Sequence, residues 1–302
     1  MKNRIQSVKE FEKRVKVAGL SFVVKKSDKI CPLHKTQMVY TDKSPQPFCI
    51  KCQHEAVEKK KKELDRTNSV QVVRRGLRQL SLVDDPKEYS YTFDNFKASS
   101  GSKEAQMKDI TRKLAGEYYK DRNLNFNTVL YGTPGQGKTH LAMAMLNAVN
   151  EFSNPPQRCL FVNVTSLFLA IRSSFDNPME KWTEQYAVHA LSNADLLVID
   201  DLGSESVMST KNGEASQFVQ RVLYQVTNRQ KRIIITTNLT PKQMRNAQDV
   251  AHARIYSRVL EMCTPILLQG ADRRKSISNG KRVLAKQILF PQKEVQPNGK
   301  TK

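Results

Sequence analysis

The stretch from Val129 to Ala142, VLYGTPGQGKTHLA, constrains this chain more than any other. An apolar run leads into G-x-x-x-x-G-K-T at Gly132–Thr139 and then into residues that suit the start of a helix. Strand, glycine-rich loop and helix in that order are the setting in which the pattern marks a phosphate-binding loop rather than a chance turn. A polyphosphate needs many donors at short range. Gly132, Gly135 and Gly137 let backbone N–H groups turn inward with no Cβ in the way. The helix N-terminus adds a favourable dipole, Lys138 reaches the β- and γ-phosphates, and Thr139 offers its hydroxyl to Mg2+. Thr133, Pro134, Gln136 and His140 complete the set expected around the nucleotide, so ATP and Mg2+ are the expected ligands.

The segments that follow read as alternating strands and helices. A helix is expected over residues 102–120 before the loop strand. After the loop helix come an unbroken apolar strand at Cys159–Val164, a mostly helical stretch broken at Asp176-Asn177-Pro178, and a strand at Asp195–Asp200. That last strand runs LLVIDD into Asp200 and Asp201. Lying beside the loop strand, it would let Asp200 orient Mg2+ through its water shell and Asp201 polarise the attacking water. A helix at Glu214–Asn228 places Phe218, Val219, Val222, Leu223 and Val226 on one face. The strand Arg232–Thr237 ends at Asn238, next to the acid-bearing strand, where the amide can hold the attacking water or the γ-phosphate. In H-A-R-I-Y-S-R, Arg254 and Arg258 lie four apart on one helix face, for a surface ion pair or, for Arg258, contact with a neighbouring subunit's nucleotide. A last strand at Pro265–Leu268 leads to Arg274, either a γ-phosphate sensor or plain surface charge. Ahead of the loop, SLVDDPKEYSYTFDNF carries four aromatics that can pack on a nucleotide base or simply in the core.

The N-terminal third differs in kind. Alternating charge in residues 1–30 suggests a helix followed by a short strand at Leu20–Val24. Next come Cys31-Pro-Leu-His34 and, fourteen residues later, Cys49-Ile-Lys-Cys52. Two x2-spaced pairs around a turn-rich insert are the pattern of a zinc ribbon, with three thiolates and an imidazole closing a structural Zn2+ site. His34 is preferred over His54 because it completes a symmetric pair. The run Lys59–Lys62 then fits a solvated linker helix. Charge follows the same division: residues 1–80 carry 20 Lys/Arg against 8 Asp/Glu, residues 81–270 carry 21 against 19, and residues 271–302 carry 9 against 2. Basic flanks around a near-neutral centre suit contact with a polyanion such as DNA, or serve only solubility. No apolar run approaches the roughly 18 residues that span a bilayer, and no signal sequence is evident, so no membrane contact and a cytoplasmic location are expected. The expected division is a zinc-binding module and basic linker at 1–80, an ATPase domain at 81–280, and a basic, disordered tail at 281–302.

Taken in order, TFDNF at Thr92–Phe96, YGTPGQGKTHLA, LLVIDDLG at Leu196–Gly203, IIITTNL at Ile233–Leu239 and RIYSRV at Arg254–Val259 resemble the AAA+ ATPases of the initiator clade. Within it the resemblance is to bacterial and phage replicative-helicase loaders of the DnaC/DnaI type, over roughly residues 88–275. It implies an α/β P-loop fold with a five-stranded parallel sheet flanked by helices and no separate lid domain, preceded by the zinc ribbon. It also implies an N-terminal module that grips a hexameric DnaB-family replicative helicase, and an ATPase domain that binds single-stranded DNA and self-associates through the Arg258 side. Some members carry Glu where this chain has Asp201, which points to slow, switch-like hydrolysis here. The same core resembles the accessory ATPases of DNA transposition, the alternative reading.

Overall fold

The structure, a computed structural model, describes residues 13–17, 20–177, 179–203, 214–230, 232–261, 263–270, 272, 273 and 289. The chain divides into two compact units, residues 1–71 and 72–302.

In the first unit, strands β1 (Lys13–Val17), β2 (Leu20–Ile30), β3 (Gln37–Thr41) and β4 (Ser44–Phe48) form an antiparallel sheet in that spatial order. Over residues 13–17 the expected helix is therefore corrected to a strand, antiparallel to β2 with Val17 opposite Leu20 and Lys13 opposite Val24, while residues 1–12 lie outside the described residues. Arg14-Val15-Lys16-Val17 alternates with the period of a strand, and β-branched valines favour that state once β2 supplies a partner. Pro45 and Pro47 fall in β4, an edge strand, where a missing N–H costs no ladder bond. Helix α1 (Ile50–Leu80) follows and runs on into the second unit; Lys59–Lys62 are exposed on it. Residue 80, the expected domain boundary, is its last residue.

In the second unit a 3-10 turn at Pro86–Ser90 precedes α2 (Lys103–Lys120), which Ser102 caps by accepting from the N–H of Ala105. Then come β5 (Asn127–Tyr131), α3 (Lys138–Phe152), β6 (Cys159–Asn163), α4 (Val164–Asp176), α5 (Glu184–Ser192), β7 (Leu196–Leu202), α6 (Glu214–Arg229), β8 (Ile233–Thr237), α7 (Pro241–Arg245), α8 (Val250–Glu261) and β9 (Cys263–Leu267). The five strands β5–β9 are all parallel, in the order β6-β7-β8-β5-β9. Alternate strand residues feed two cores. Val129, Leu197, Ile199, Ile233 and Ile235 pack with α4, α5, α6 and α8, while Leu130, Val198 and Ile234 pack with α2 and α3.

The strand order corrects one expectation. The acid-bearing β7 does not lie beside the loop strand β5, because β8 sits between them. The crossover through α3 carries the chain from β5 to β6, skipping two positions, and β7 and β8 fill the gap from the far side. The tip of β8, with Asn238, is thereby placed between the phosphate loop and the acids.

Candidate functional site

The loop between β5 and α3 turns through left-handed glycines, with φ of 83° at Gly135 and 86° at Gly137, the N-cap of α3. A Cβ at Gly135 would fall 1.9 Å from the Asp272 carboxylate, so no other residue fits there without rearrangement. Lys138 is buried, and its Nζ donates to the carbonyls of Gly132 (2.9 Å) and Thr133 (3.0 Å) and to Asn238 Oδ1 (2.8 Å). Asn238 in turn donates from Nδ2 to Asp201 Oδ1 at 3.3 Å. Lysine, amide and acid thus form one hydrogen-bonded chain across three strand ends.

Asp200 is buried beside this chain. Its Oδ1 accepts from Thr236 Oγ1 (2.6 Å), its Oδ2 from Asn163 Nδ2 (3.2 Å), and the Thr139 side chain also hydrogen-bonds to it. Burial pushes the Asp200 carboxyl above the usual carboxylate range, and the three hydrogen bonds oppose that. The pairing of Thr139 with Asp200 is the donor set a hard divalent cation takes: oxygen ligands with room for several waters. Asp201, at φ 60°, is anchored by its N–H to Thr236 Oγ1 at 2.9 Å.

These groups line a cavity of about 1080 Å³. The aromatic lead-in splits between the two uses expected of it. Phe93 and Phe96 are buried in the core, whereas Tyr91 lines the cavity and stacks on His140 with centroids 4.3 Å apart. The Arg273 guanidinium lies over the Phe96 ring at 3.9 Å, and the Arg273 backbone N–H donates to the Gly135 carbonyl. Arg274 lies outside the described residues. Arg258 does not line the cavity; it is half exposed on α8 and ion-paired with Glu261 at 3.2 Å, with Arg254 exposed on the same helix.

Asn163, Thr236, Arg273 and Glu88 are among the cavity residues that had not been singled out from the sequence. Asn163 carried a readable signal, since an Asn that ends an apolar strand just before V-T-S suits an N-cap, and here it accepts from the N–H groups of Thr165 and Ser166. Glu88 carried none. It is buried, and desolvation, followed by the charges of Asp200 and Asp84, pushes its carboxyl up to about 7.

In the first unit Cys31, His34, Cys49 and Cys52 converge, with their ligand atoms all within 4.8 Å of one another. Sulfur to sulfur is 3.6 Å for Cys31 and Cys52, and His34 Nδ1 lies 3.2 to 3.8 Å from the three sulfurs. A tetrahedral Zn2+ with Zn–S of 2.3 Å would want edges of about 3.8 Å, so the cluster fits such an ion. His34 Nε2 meets Glu55 Oε1 at 2.9 Å, the outer carboxylate contact that orients a ligating imidazole. The second pair is not a mirror of the first: Cys31 directly follows β2, whereas Cys49 precedes α1 and Cys52 sits in its first turn. The Thr36 hydroxyl and the Cys52 N–H hold the Cys49 thiol down to about 6.

Comparison with known proteins finds relatives of this chain. The family model of the bacterial DnaA ATPase domain matches residues 87–260. The replicative helicase loader DnaC of Escherichia coli (strain K12) is 28% identical over 137 residues, covering 45% of this chain and 52% of DnaC. The replicative helicase loader DnaI of Bacillus subtilis (strain 168) is 24% identical over 192 residues, covering 61% of this chain and 58% of DnaI. The chain thus spans a little over half the length of these relatives. Among solved structures, the DnaC helicase loader aligns with 61% of this chain and 100% of its own at 21% identity and a TM-score of 0.47. The initiator DnaA bound to AMPPCP and single-stranded DNA aligns with 70% of this chain and 58% of its own at 21% identity and a TM-score of 0.44.

Proposed function

The chain belongs to the bacterial DnaA ATPase-domain family, and from that premise we propose that it loads a DnaB-family replicative helicase onto single-stranded DNA in an ATP-dependent step. What carries the reading is one chain that joins a converged Lys138–Asn238–Asp201 and Thr139–Asp200 arrangement to a separate Cys/His unit. A nucleotide switch with a second, distinct module suits a protein that holds one partner and releases it on a signal.

On this reading Lys138 exchanges its loop carbonyls for β- and γ-phosphate oxygens when ATP binds, and Asn238 and Asp201 are left facing the γ-phosphate. Thr139 and Asp200 would hold Mg2+, which would supply positive charge against the negative charge that develops on the phosphates. Asp201 reaches less far than a Glu would, which keeps hydrolysis slow. The four-ligand cluster has no open position, so its Zn2+ is structural. Residues 1–80 form the helicase-binding module and linker, and residues 81–280 the ATPase. The basic flanks and the ATPase unit meet DNA. Among the described residues no helix is long and apolar enough to cross a membrane, and we place the protein in the cytoplasm.

The experiment is co-purification with a replicative helicase, with and without ATP, using the full chain and a chain lacking residues 1–80. Retention of helicase by the full chain alone, altered by ATP, is the expected result. Equal retention by the truncated chain removes the module assignment. No retention by either, with ATP-dependent binding to duplex target DNA instead, moves the protein to the transposition class.

Self-association through α8 gives a second expected outcome. The Arg258–Glu261 pair is exposed, and pairs of that kind contribute about 0–1 kcal/mol, so Arg258 can leave it at little cost to reach a neighbour's nucleotide. Mixing Arg258→Ala chains with Lys138→Ala chains, each inactive alone, should therefore restore part of the ATPase rate. If no activity returns, Arg258 acts within its own chain.

A further inference from the structure

Glu88 is a buried carboxylate that the arrangement above does not use. It is 8% exposed, and its Oε2 is shut off from solvent with no hydrogen-bond partner. The carboxylate takes a hydrogen bond from the Asp84 backbone, which leaves Oε2 unsatisfied, and a buried carboxylate oxygen without a partner is costly unless something else completes the site. The side chain lines the nucleotide cavity together with Asn163, Asp200 and Asp201, near enough to Asp200 to feel its charge.

Its position is held from both sides. Leu82 bridges to β6, donating to the Phe161 carbonyl and accepting from the Asn163 N–H. Asn147 of α3 donates to the carbonyls of Tyr89 and Tyr91. Asp85 caps the 3-10 turn by accepting from the Lys87 N–H. A chain fastened this way presents Glu88 to the cavity by construction, not through a mobile side chain on the surface.

A buried carboxylate with one oxygen unsatisfied opposes a polyphosphate and favours whatever cation arrives with it. Small hard divalent cations keep several of their waters and are held largely through them. We propose that Glu88 is a positioning residue for the divalent cation of the bound nucleotide, accepting hydrogen bonds from the water shell of a cation seated at Thr139 and Asp200. The inference rests on the Mg-nucleotide reading of the cavity and adds to it a residue supplied by the lead-in segment. It makes cation affinity sensitive to how residues 82–91 dock on β6 and α3.

The test uses the full chain loaded with zinc, a saturating non-hydrolysable ATP analogue, and Mn2+ followed by electron paramagnetic resonance. Glu88→Gln keeps the shape and removes the charge. Loss of outer-shell partners lowers metal affinity by about 10–100-fold, and a loss in that range is expected for Mn2+ in this variant, with partial recovery in Glu88→Asp. Affinity for the analogue in EDTA should stay the same or tighten, since a negative charge has gone. The metal-free variant should also melt no lower than the parent, because a buried unpaired charge has been removed; a merely structural Glu88 would give a lower melting temperature and leave Mn2+ affinity alone. Mn2+ affinity within twofold of the parent overturns the proposal. So does an equal loss of analogue affinity in EDTA, which would mean that Glu88 touches the nucleotide itself. If the parent chain bound no analogue, the nucleotide reading would fall and this inference with it, whereas normal analogue binding with unchanged Mn2+ affinity removes the Glu88 role alone.

Discussion

Lys138→Ala is expected to lower affinity for ATP at least a hundredfold and to abolish turnover. The buried ammonium already makes three hydrogen bonds, two to loop carbonyls and one to Asn238. Exchanging the carbonyls for phosphate oxygens converts two of them into ion-to-ion bonds. Hydrogen bonds to charged groups contribute about 1.5–3 kcal/mol each, so two lost together correspond to two orders of magnitude or more in affinity. Alanine has a second effect, since it also releases the carbonyls of Gly132 and Thr133 and leaves Asn238 joined to Asp201 alone. Titration with a fluorescent ATP analogue measures the loss, and circular dichroism of the same sample checks that the sheet persists. Unchanged affinity would remove the loop from the nucleotide site, and with it the reading of the whole second unit.

That prediction could be framed from the sequence because the loop is a local feature: strand, turn and helix are contiguous, and the chemistry is confined to eight residues. The order of strands was not legible in the same way. CLFVN, LLVID and IIITT are all continuous apolar runs, as expected for strands buried on both faces, and nothing in such runs says which lies next to which. Asn238 was therefore picked out correctly as a strand tip, while its place between Lys138 and Asp201 came only with the fold. Glu88 was illegible for a different reason. Its meaning depends on Leu82 pairing with Val162, a contact across 80 residues. In the first unit, charge alternation over residues 13–17 was read as helical where the period of two prevailed. The histidine, by contrast, is a matter of geometry. Cys52 and His54 stand two apart on α1 and so point to different sides, which leaves His34 to face the thiolates.

Stripping the metal, or replacing Cys49 by serine, is expected to unfold the first unit while leaving nucleotide binding within twofold of normal. The reason lies in what else could hold that unit together. Over residues 23–71, the buried hydrophobic residues are Cys31, Val39 and Cys49, two of which belong to the cluster. Over that stretch a single buried aliphatic side chain leaves little apolar burial to set against chain entropy. A structural Zn2+ site contributes about 10–16 kcal/mol of apparent binding free energy at neutral pH, and beside so little apolar burial over residues 23–71 that becomes the main folding free energy. The second unit has two extensive cores of its own on either side of its sheet and no ligand in common with the cluster. Elemental measurement should find one zinc per chain. Hydrogen exchange of the full chain after chelation should then show protection lost across residues 20–49 and retained across β5–β9, with helicase retention falling together with the first. Protection that survives in residues 20–49 once the metal is gone would mean that the strands carry the unit unaided, and that the thiolates and His34 are there for something other than its fold.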